Sequence, residues 1–179
     1  MMKILIIEGS PRHGGNTDLL SNEFARGAVE SGHGIEKIYL QRKKVAPCID
    51  CEACQTKRQG CIQKDDFGEI CEKMIASDVL VFVTPVYFYS VSAQMKALFD
   101  RCYSILERLS SKRCCLLSAG AADATEYFDT LIACYRGFIH CFPDMKECGT
   151  VLAYGAQAKG SVVGNKAMQE AYQLGKNIN

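Results

Sequence analysis

The fold of this chain is decided by residues 3–17, whose sequence is KILIIEGSPRHGGNT. Residues 3–7 form a short, almost wholly apolar run rich in isoleucine, which is typical of a strand buried on both faces. The glycines that follow predict a tight turn. Apolar residues then recur at a spacing of four, which predicts a helix over about 16–32. We therefore expect a strand, a turn and a helix in direct succession.

Four further units of strand and helix follow the first one. We expect strands at 35–40, 79–83, 114–117 and 150–154, with helices at 66–76, 95–109, 127–142 and 165–174. Parallel strands need crossover connections, so this alternation predicts an α/β fold with a doubly wound, five-stranded parallel sheet and helices on both faces. The order 2-1-3-4-5 is favoured, and in that order ligands bind beyond the carboxyl ends of strands 1 and 3. Asp66 and Glu69 also predict a capping box at the start of helix 66–76.

Composition narrows the classes of function. The chain of 179 residues has 21 Lys and Arg against 20 Asp and Glu, a net charge of +1, and it is 48% hydrophobic and 23% charged. These values suit one ordered domain over residues 1–179 and exclude intrinsic disorder. The neutral balance argues against nucleic-acid binding. Because no long uncharged apolar window and no signal-peptide pattern is found, we expect a soluble, cytoplasmic protein that does not bind membranes.

The turn after strand 1 carries groups that could bind a phosphate. It joins a buried strand to a helix N-terminus, where unpaired N–H groups and the helix dipole favour an anion. Pro11 breaks the dinucleotide-binding glycine pattern, and Gly15 and Asn16 stand where a triphosphate-binding loop needs Lys and Ser or Thr. A terminal monophosphate is therefore favoured, and the alternative is a turn that only caps the helix. The candidate phosphate ligands are Ser10, Arg12, Asn16 and Thr17.

A second candidate turn follows strand 3. Three consecutive aromatic residues, Tyr87 to Tyr89, stand close to Pro85 on the other side of the expected binding crevice. A flat, partly polar ring could stack there and accept hydrogen bonds from backbone N–H groups. The alternative is that these aromatic residues cover the edge of the core or form an interface between subunits.

The two turns together resemble those of a known family. Residues 9–12 with 16–17, then 84–88 and 92–101, are similar to the NAD(P)H-dependent FMN reductase and iron-sulfur flavoprotein group of flavodoxin-like proteins. The resemblance implies an enzyme that binds FMN, takes hydride from NAD(P)H and passes electrons to a small-molecule or protein acceptor. No acid or base side chain is required, because the flavin carries the chemistry. The resemblance also implies a homodimer or homotetramer.

The same resemblance places the flavin. It implies that the FMN phosphate contacts the four candidate ligands of the first turn. The implied isoalloxazine site is Pro85, Val86, Tyr87 and Phe88, with Ser118, Ala119 and Gly120 flanking the other edge of the ring. The N–H groups around Val86 and Tyr87 would point at the pyrimidine edge. The rival hypothesis is a flavodoxin-type electron carrier, which binds FMN but has no NAD(P)H activity of its own.

Four of the eleven cysteines form a compact motif, Cys48-x₂-Cys51-x₂-Cys54-x₆-Cys61. Four thiolates are the ligand set of a 4Fe–4S cluster, and the resemblance to iron-sulfur flavoproteins implies such a cluster in this loop. Metal-free thiols and a zinc site with four cysteine ligands are the open alternatives. The other seven cysteines are expected to be small, buried side chains.

The cysteine loop is also basic. Its positive side chains are Arg42, Lys43, Lys44, Lys57, Arg58 and Lys64. Such a run is typical of a solvated face. The alternative is that these charges attract the 2′-phosphate of NADPH or an acidic electron partner.

Overall fold

The computed structural model describes residues 1–57 and 60–179. Within these residues the strands are β1 (Lys3–Glu8), β2 (Gly34–Tyr39), β3 (Val79–Pro85), β4 (Arg113–Ala119) and β5 (Lys146–Ala153). The helices are α1 (Asn16–Glu30), α2 (Ala53–Lys57), α3 (Phe67–Ala76), α4 (Ala93–Arg101), α5 (Asp129–His140) and α6 (Lys166–Lys176). Of the basic residues in the cysteine loop, Arg58 lies outside the described residues.

The strands form one parallel sheet in the order β2-β1-β3-β4-β5, which confirms the predicted topology. Successive side chains of a strand point to opposite faces. In β1, Ile4 and Ile6 accordingly pack into the core beneath α1 and α6, whereas Leu5 and Ile7 pack into the core beneath α3, α4 and α5. Helices thus cover both faces, and this is why β1 is a continuous apolar run.

Helices α1 and α6 cross in unusually close contact. A Cβ on Gly27 would lie 2.2 Å from the carbonyl oxygen of Tyr172, and a Cβ on Gly175 would lie 2.0 Å from that of Phe24. No side chain fits at either glycine without moving a backbone. The close crossing holds the segment between β5 and α6 beside the start of α1. Both become part of the candidate site described below.

Some local predictions are corrected by the structure. The predicted helix over 95–109 is shorter, because α4 ends at Arg101 and a 3₁₀ turn follows it. The predicted capping box is wrong: Asp66 accepts a hydrogen bond from the Lys44 N–H at 2.7 Å, while Asp65 accepts one from the Phe67 N–H at 3.1 Å and so caps α3. Strand β5 begins at Lys146, earlier than the predicted position 150.

The seven scattered cysteines do not share one environment. Cys71, Cys102, Cys114 and Cys115 are buried as predicted, and Cys134 is half-buried. The prediction is wrong for Cys141 and Cys148, which are exposed. Cys141 follows the last turn of α5, and Cys148 lies near the start of the edge strand β5, so neither is covered by a second layer.

None of the helices in residues 1–57 and 60–179 combines the length and the apolar character needed to cross a bilayer.

Candidate functional site

The candidate site lies at the carboxyl ends of β1, β3 and β4. The Gly9 N–H donates to the Val83 carbonyl at 2.7 Å, which ties the turn after β1 to β3. Beside it opens a cavity of about 210 Å³, which we call the crevice pocket. The pocket is lined by Ser10, Arg12, Gly15, Asn16, Thr17, Pro85, Val86, Tyr87, Ala119, Gly120, Ala121, Ala156, Gln157 and Lys159. Of the predicted FMN-site residues, Phe88 and Ser118 are not part of this lining.

The turn after β1 is fixed by its own hydrogen bonds. The Ser10 hydroxyl accepts from the Arg12 N–H at 3.1 Å, and the Gly15 N–H donates to the Arg12 carbonyl at 3.0 Å. Gly14 has a φ of 66°, and a Cβ on Gly15 would lie 2.9 Å from the Arg12 carbonyl oxygen, so both positions require glycine. The first turn of α1 then presents N–H groups without acceptors inside the helix. This arrangement suits an anion.

Glu8 ends β1 next to this turn and is fully buried. Its carboxylate accepts hydrogen bonds from the Ser10 N–H at 3.1 Å and the Thr17 hydroxyl at 2.7 Å. The Ser21 hydroxyl lies 3.3 Å from the carboxylate and is closer to the Asp18 carbonyl, at 3.0 Å. Burial outweighs these bonds and raises the pKa of Glu8 to about 7. Sequence reasoning gave Glu8 no role, although a charged residue at the end of an apolar strand was an available signal.

The Asn16 side chain has a different role from the predicted one. Its amide donates to the carbonyls of Ala156 and Ala158, both at 2.9 Å, and its Oδ1 accepts from the Val162 N–H at 3.3 Å. These bonds hold the loop after β5 in place. In this conformation the amide is therefore engaged with the loop and is not free to make the predicted contact with a phosphate. The same loop brings the exposed Lys159 to the crevice pocket. Sequence reasoning missed Lys159, because the loop and the turn are about 140 residues apart.

The segment after β3 departs from the prediction in two respects. The Val86 N–H donates to the Ala119 carbonyl at 3.0 Å and the Tyr87 N–H donates to the Ser90 carbonyl at 3.0 Å, so neither is directed at a ring in the crevice pocket. Phe88 is fully exposed and lies outside the pocket. Val86 and Tyr87 instead form part of the pocket wall.

Phe88 and Tyr89 occupy the corner of a tight hairpin turn. Tyr87 and Ser90 pair across the turn, and the φ angles of Phe88 and Tyr89 are 46° and 62°. Such a turn usually holds Asn-Gly, and a side chain in this conformation costs about 1–2 kcal/mol per residue. The Tyr89 ring stacks on that of Tyr127 with centroids 5.7 Å apart. Strain of this kind beside a cavity is a feature of functional sites.

The end of β4 shapes the opposite side of the pocket with small residues. The Ser118 hydroxyl is fully buried and donates to the Thr84 carbonyl at 2.8 Å, so it ties β4 to β3. Contrary to the prediction, Ser118 does not line the pocket. Ala119 and Gly120 do line the pocket. A Cβ on Gly120 would lie 3.1 Å from Val86, which leaves little room for a larger residue.

The cysteine loop is closed at its base by hydrogen bonds. Lys44 and Asp66 bond to each other twice, at 2.7 and 3.0 Å. Asp65 accepts from the Ala46 N–H at 2.9 Å, and the Arg101 guanidinium donates to both oxygens of Asp65 and to the Ala46 carbonyl at 2.9–3.1 Å. Burial alone would raise the pKa of Asp65, but the bonds from Arg101 and the Ala46 N–H lower it. The two ends of the loop are thus held together by a buried ion pair.

A second cavity of about 40 Å³ lies within this loop. Its lining includes Cys48, Cys51, Cys54 and Cys61. The Arg101 side chain, only 1% exposed, also lines this cavity, and its Nε finds no hydrogen-bond acceptor in the described part of the chain. Four thiols and a buried unpaired donor are suited to a cluster with sulfur ligands, although the cavity would have to widen to admit one.

The zinc alternative receives no support from this geometry. A zinc ion needs its thiolates at about 2.3 Å from one point. In the part of the chain that the structure describes, no group of three His, Cys, Asp or Glu side chains is placed to hold a single metal ion. A cubane cluster is a different case, because each of its cysteine ligands binds a separate iron.

The basic residues of the loop are mostly solvated, as predicted. Arg42, Lys44, Lys57 and Lys64 are exposed. Lys43 forms an ion pair with Glu69 at 2.7 Å.

Comparison with known families decides the class of this protein. Residues 2–134 match the family model described as NADPH-dependent FMN reductase. The chain belongs to the NADPH-dependent FMN reductase family. The family match confirms the sequence resemblance, and the flavodoxin-like sheet order agrees with it.

Two relatives carry names that agree with this family. An iron-sulfur flavoprotein of Methanocaldococcus jannaschii is 39% identical over 107 residues, which are 60% of this chain and 54% of the relative. A Bacillus subtilis protein named as an NAD(P)H-dependent FMN-containing oxidoreductase is 29% identical over 182 residues, covering 97% of this chain and 96% of that protein. The match thus spans about half the length of the first relative and nearly all of the second.

A solved structure shows the same fold. Trp repressor binding protein from Bacillus subtilis has a TM-score of 0.75 to this chain at 24% identity, with 98% of this chain and 99% of that one covered. At this level of identity the likeness shows the fold alone.

Proposed function

We propose that this protein binds FMN in the crevice pocket, reduces it with NAD(P)H and passes the electrons to a second acceptor. The observation that carries the proposal is one cavity that joins an anion-binding turn to a wall of small and aromatic residues at the carboxyl ends of β1, β3 and β4. A flavin mononucleotide has these two parts, a terminal phosphate and a flat ring. Family membership and the oxidoreductase relative support the same activity.

The residues of the pocket have separate tasks in this proposal. When bound, FMN accepts hydride from the nicotinamide and delivers electrons to the acceptor. Arg12 and Lys159 supply positive charge at the phosphate end, and the N–H groups at the start of α1 supply donors. Ala119 and Gly120 leave the space for a flat ring, and Tyr87 bounds it. These groups bind and orient, and no side chain is assigned as acid or base.

The acceptor is proposed to be an uncharged aromatic molecule. A cavity of about 180 Å³ adjoins the crevice pocket and shares Val86, Gly120 and Ala121 with it. Its other lining residues are Phe88, Tyr89, Ala122, Tyr127 and Phe128. A cavity of roughly 150 Å³ holds one benzene ring, so this space suits a single aromatic ring. The absence of ionised side chains from this described lining disfavours a charged acceptor.

Absorbance spectroscopy tests the activity directly. The protein is loaded with FMN without air, NADH or NADPH is added, and the flavin bands are followed, after which benzoquinone or ferricyanide is added. Bleaching by the nicotinamide and faster reoxidation by benzoquinone would support the proposal. An FMN-loaded protein that only dithionite reduces would instead be a flavodoxin-type carrier. Failure to bind FMN at all would overturn the cofactor assignment.

Arg12→Ala is expected to weaken FMN binding about tenfold, because an exposed charged contact to the phosphate lies at the lower end of the range for charge-assisted hydrogen bonds. Fluorescence titration measures the Kd. Riboflavin, which has no phosphate, should bind the variant and the parent equally. Arg26→Ala, on the exposed far end of α1, is the matched control. An unchanged FMN affinity in Arg12→Ala would remove Arg12 from the phosphate site.

A second candidate function is electron transfer through a 4Fe–4S cluster in the cysteine loop. It is favoured by the four cysteines that line one cavity and by Arg101, which also lines this cavity and whose buried Nε has no hydrogen-bond partner among the described residues. Relatives named iron-sulfur flavoproteins add support. Cys48, Cys51, Cys54 and Cys61 would supply the thiolates, and Arg101 would donate a hydrogen bond to a ligand sulfur.

Metal analysis of anaerobically prepared protein tests this candidate. We expect about four irons and four sulfides per chain. Cys51→Ser should lose most of the iron, whereas Cys148→Ser, an exposed cysteine outside the loop, should retain it. Iron-free protein with reactive loop thiols would contradict the cluster, and stoichiometric zinc would restore the zinc alternative.

A further inference from the structure

We propose that Glu8 is a proton-coupled positioning residue for the FMN phosphate: it takes up a proton from solvent when FMN binds, and this proton turns the Thr17 hydroxyl toward the phosphate. The inference rests on the proposed FMN site. It concerns a buried residue outside the lining of the crevice pocket.

The hydrogen bonds around Glu8 have a fixed polarity while its carboxylate is ionised. An ionised carboxylate only accepts, so the single proton of the Thr17 hydroxyl is donated to Glu8, at 2.7 Å. Thr17 lines the crevice pocket, yet in this state it has no proton to offer a phosphate. A protonated Glu8 can donate to the Thr17 oxygen instead. The Thr17 proton is then free to point into the pocket.

Electrostatic repulsion between the phosphate and the Glu8 carboxylate also favours protonation of Glu8. A phosphate at the turn would place two negative charges close to a buried carboxylate, and like charges at short range in a weakly screened site disfavour each other. The Ser10 N–H also donates to Glu8, at 3.1 Å. Protonation of Glu8 removes the repulsion.

The neighbours of Glu8 leave its charge without a dedicated partner. From β2, Lys37 and Tyr39 face this region, but both donate to the Asp18 carboxylate of α1. On β3 the residue paired with Glu8 is Val83. Among the described residues, no ion pair includes Glu8. In the turn, Arg12 is exposed and is available to the phosphate.

The cost of the proton is small near neutral pH. Burial raises the pKa of Glu8 to about 7, so the carboxyl is already partly protonated at this pH. The second pKa of a phosphate monoester is about 6, so above pH 6.5 the ligand is mainly a dianion and its own titration contributes little. Over the range from pH 7.0 to 8.5 the pH dependence of FMN binding therefore reports on Glu8.

The Kd of FMN, measured between pH 6.5 and 8.5, tests the proposal. For the parent protein we expect binding to be about tenfold weaker at pH 8.5 than at pH 7.0. Glu8→Gln, which is neutral at every pH, should bind FMN with nearly the same Kd across this range. Riboflavin should show no such pH dependence with either protein. Calorimetry in buffers of different ionisation enthalpy should find uptake of about one proton per FMN at pH 8 in the parent alone.

Each outcome has a defined meaning. A flat FMN profile in the parent, or the same slope in parent and Glu8→Gln, would overturn the role of Glu8 while leaving the FMN site intact. A riboflavin profile as steep as that of FMN would assign the titration to the ring and also overturn it. If FMN does not bind at any pH, the proposed function fails and this inference fails with it. If Glu8→Gln does not fold, calorimetry on the parent protein still tests the proposal, because FMN binding at pH 8 without proton uptake would overturn it.

Discussion

Replacing Arg101 by methionine is expected to lower the free energy of unfolding by about 3 kcal/mol. The side chain is 1% exposed and makes a two-pronged ion pair with Asp65, whose side chain is 13% exposed. The guanidinium also lies 4.4 Å from the centre of the Phe67 ring and donates to the Ala46 carbonyl at 2.9 Å. Methionine fills a similar space but leaves Asp65 without its partner. The removal of one member of a buried pair is costly for this reason.

Denaturant unfolding, followed by circular dichroism, measures this loss. The matched control is Arg108→Met, since Arg108 pairs with Glu72 on the surface with both side chains more than half exposed, at 52% and 63%. That substitution should change the free energy of unfolding by less than about 0.5 kcal/mol. In a double variant, Arg101→Met with Asp65→Asn, part of the loss should be recovered, because no buried charge is left unpaired and the asparagine oxygen can still accept from the Ala46 or the Phe67 N–H. Equal effects of Arg101→Met and Arg108→Met would mean that the buried ion pair contributes no more to stability than the exposed one.

The fold was largely predictable because its signals are local. The strands β1 and β3 are continuous apolar runs that end in Gly-Ser-Pro and Thr-Pro segments, and both faces of each strand are covered. A period of about 3.6 residues between apolar positions marks the helices that cover them. Because crossover connections between parallel strands are right-handed, a chain of alternating strands and helices can adopt only a few parallel topologies.

The parts of the site that sequence reasoning missed depend on contacts between distant segments. The amide of Asn16 is bonded to Ala156 and Ala158, and no local pattern reports a partner about 140 residues away. From the sequence alone, the side chain of Ser118 at the end of a strand could point toward the pocket or away from it. Only the folded sheet shows that its hydroxyl donates to the Thr84 carbonyl. Phe88 has a positive φ angle, which phenylalanine rarely adopts, so its sequence does not predict its position at the corner of a tight turn.

Glu8 is a further residue whose importance depends on the folded environment, and it gives the second large expected effect. Glu8→Gln is expected to raise the free energy of unfolding of the FMN-free protein by up to about 3 kcal/mol at pH 8. The pKa of Glu8 is raised from 4.5 to about 7 by burial, so the folded state holds this proton more tightly than the unfolded chain. The contribution of Glu8 to stability is therefore full below about pH 4.5 and is lost as the pH rises through about 7. Glutamine stays neutral and avoids this loss.

The difference between the two proteins isolates Glu8 from other acidic groups. Several carboxyls, including Asp18 and Asp65, have lowered pKa values and lose stabilising interactions as the pH falls. These groups are present in both proteins, so they cancel in the comparison. The gain from Glu8→Gln, measured by urea unfolding, should shrink from about 3 kcal/mol at pH 8 to less than about 1 kcal/mol at pH 5. A gain independent of pH would show that glutamine acts through packing and that Glu8 does not titrate near neutrality.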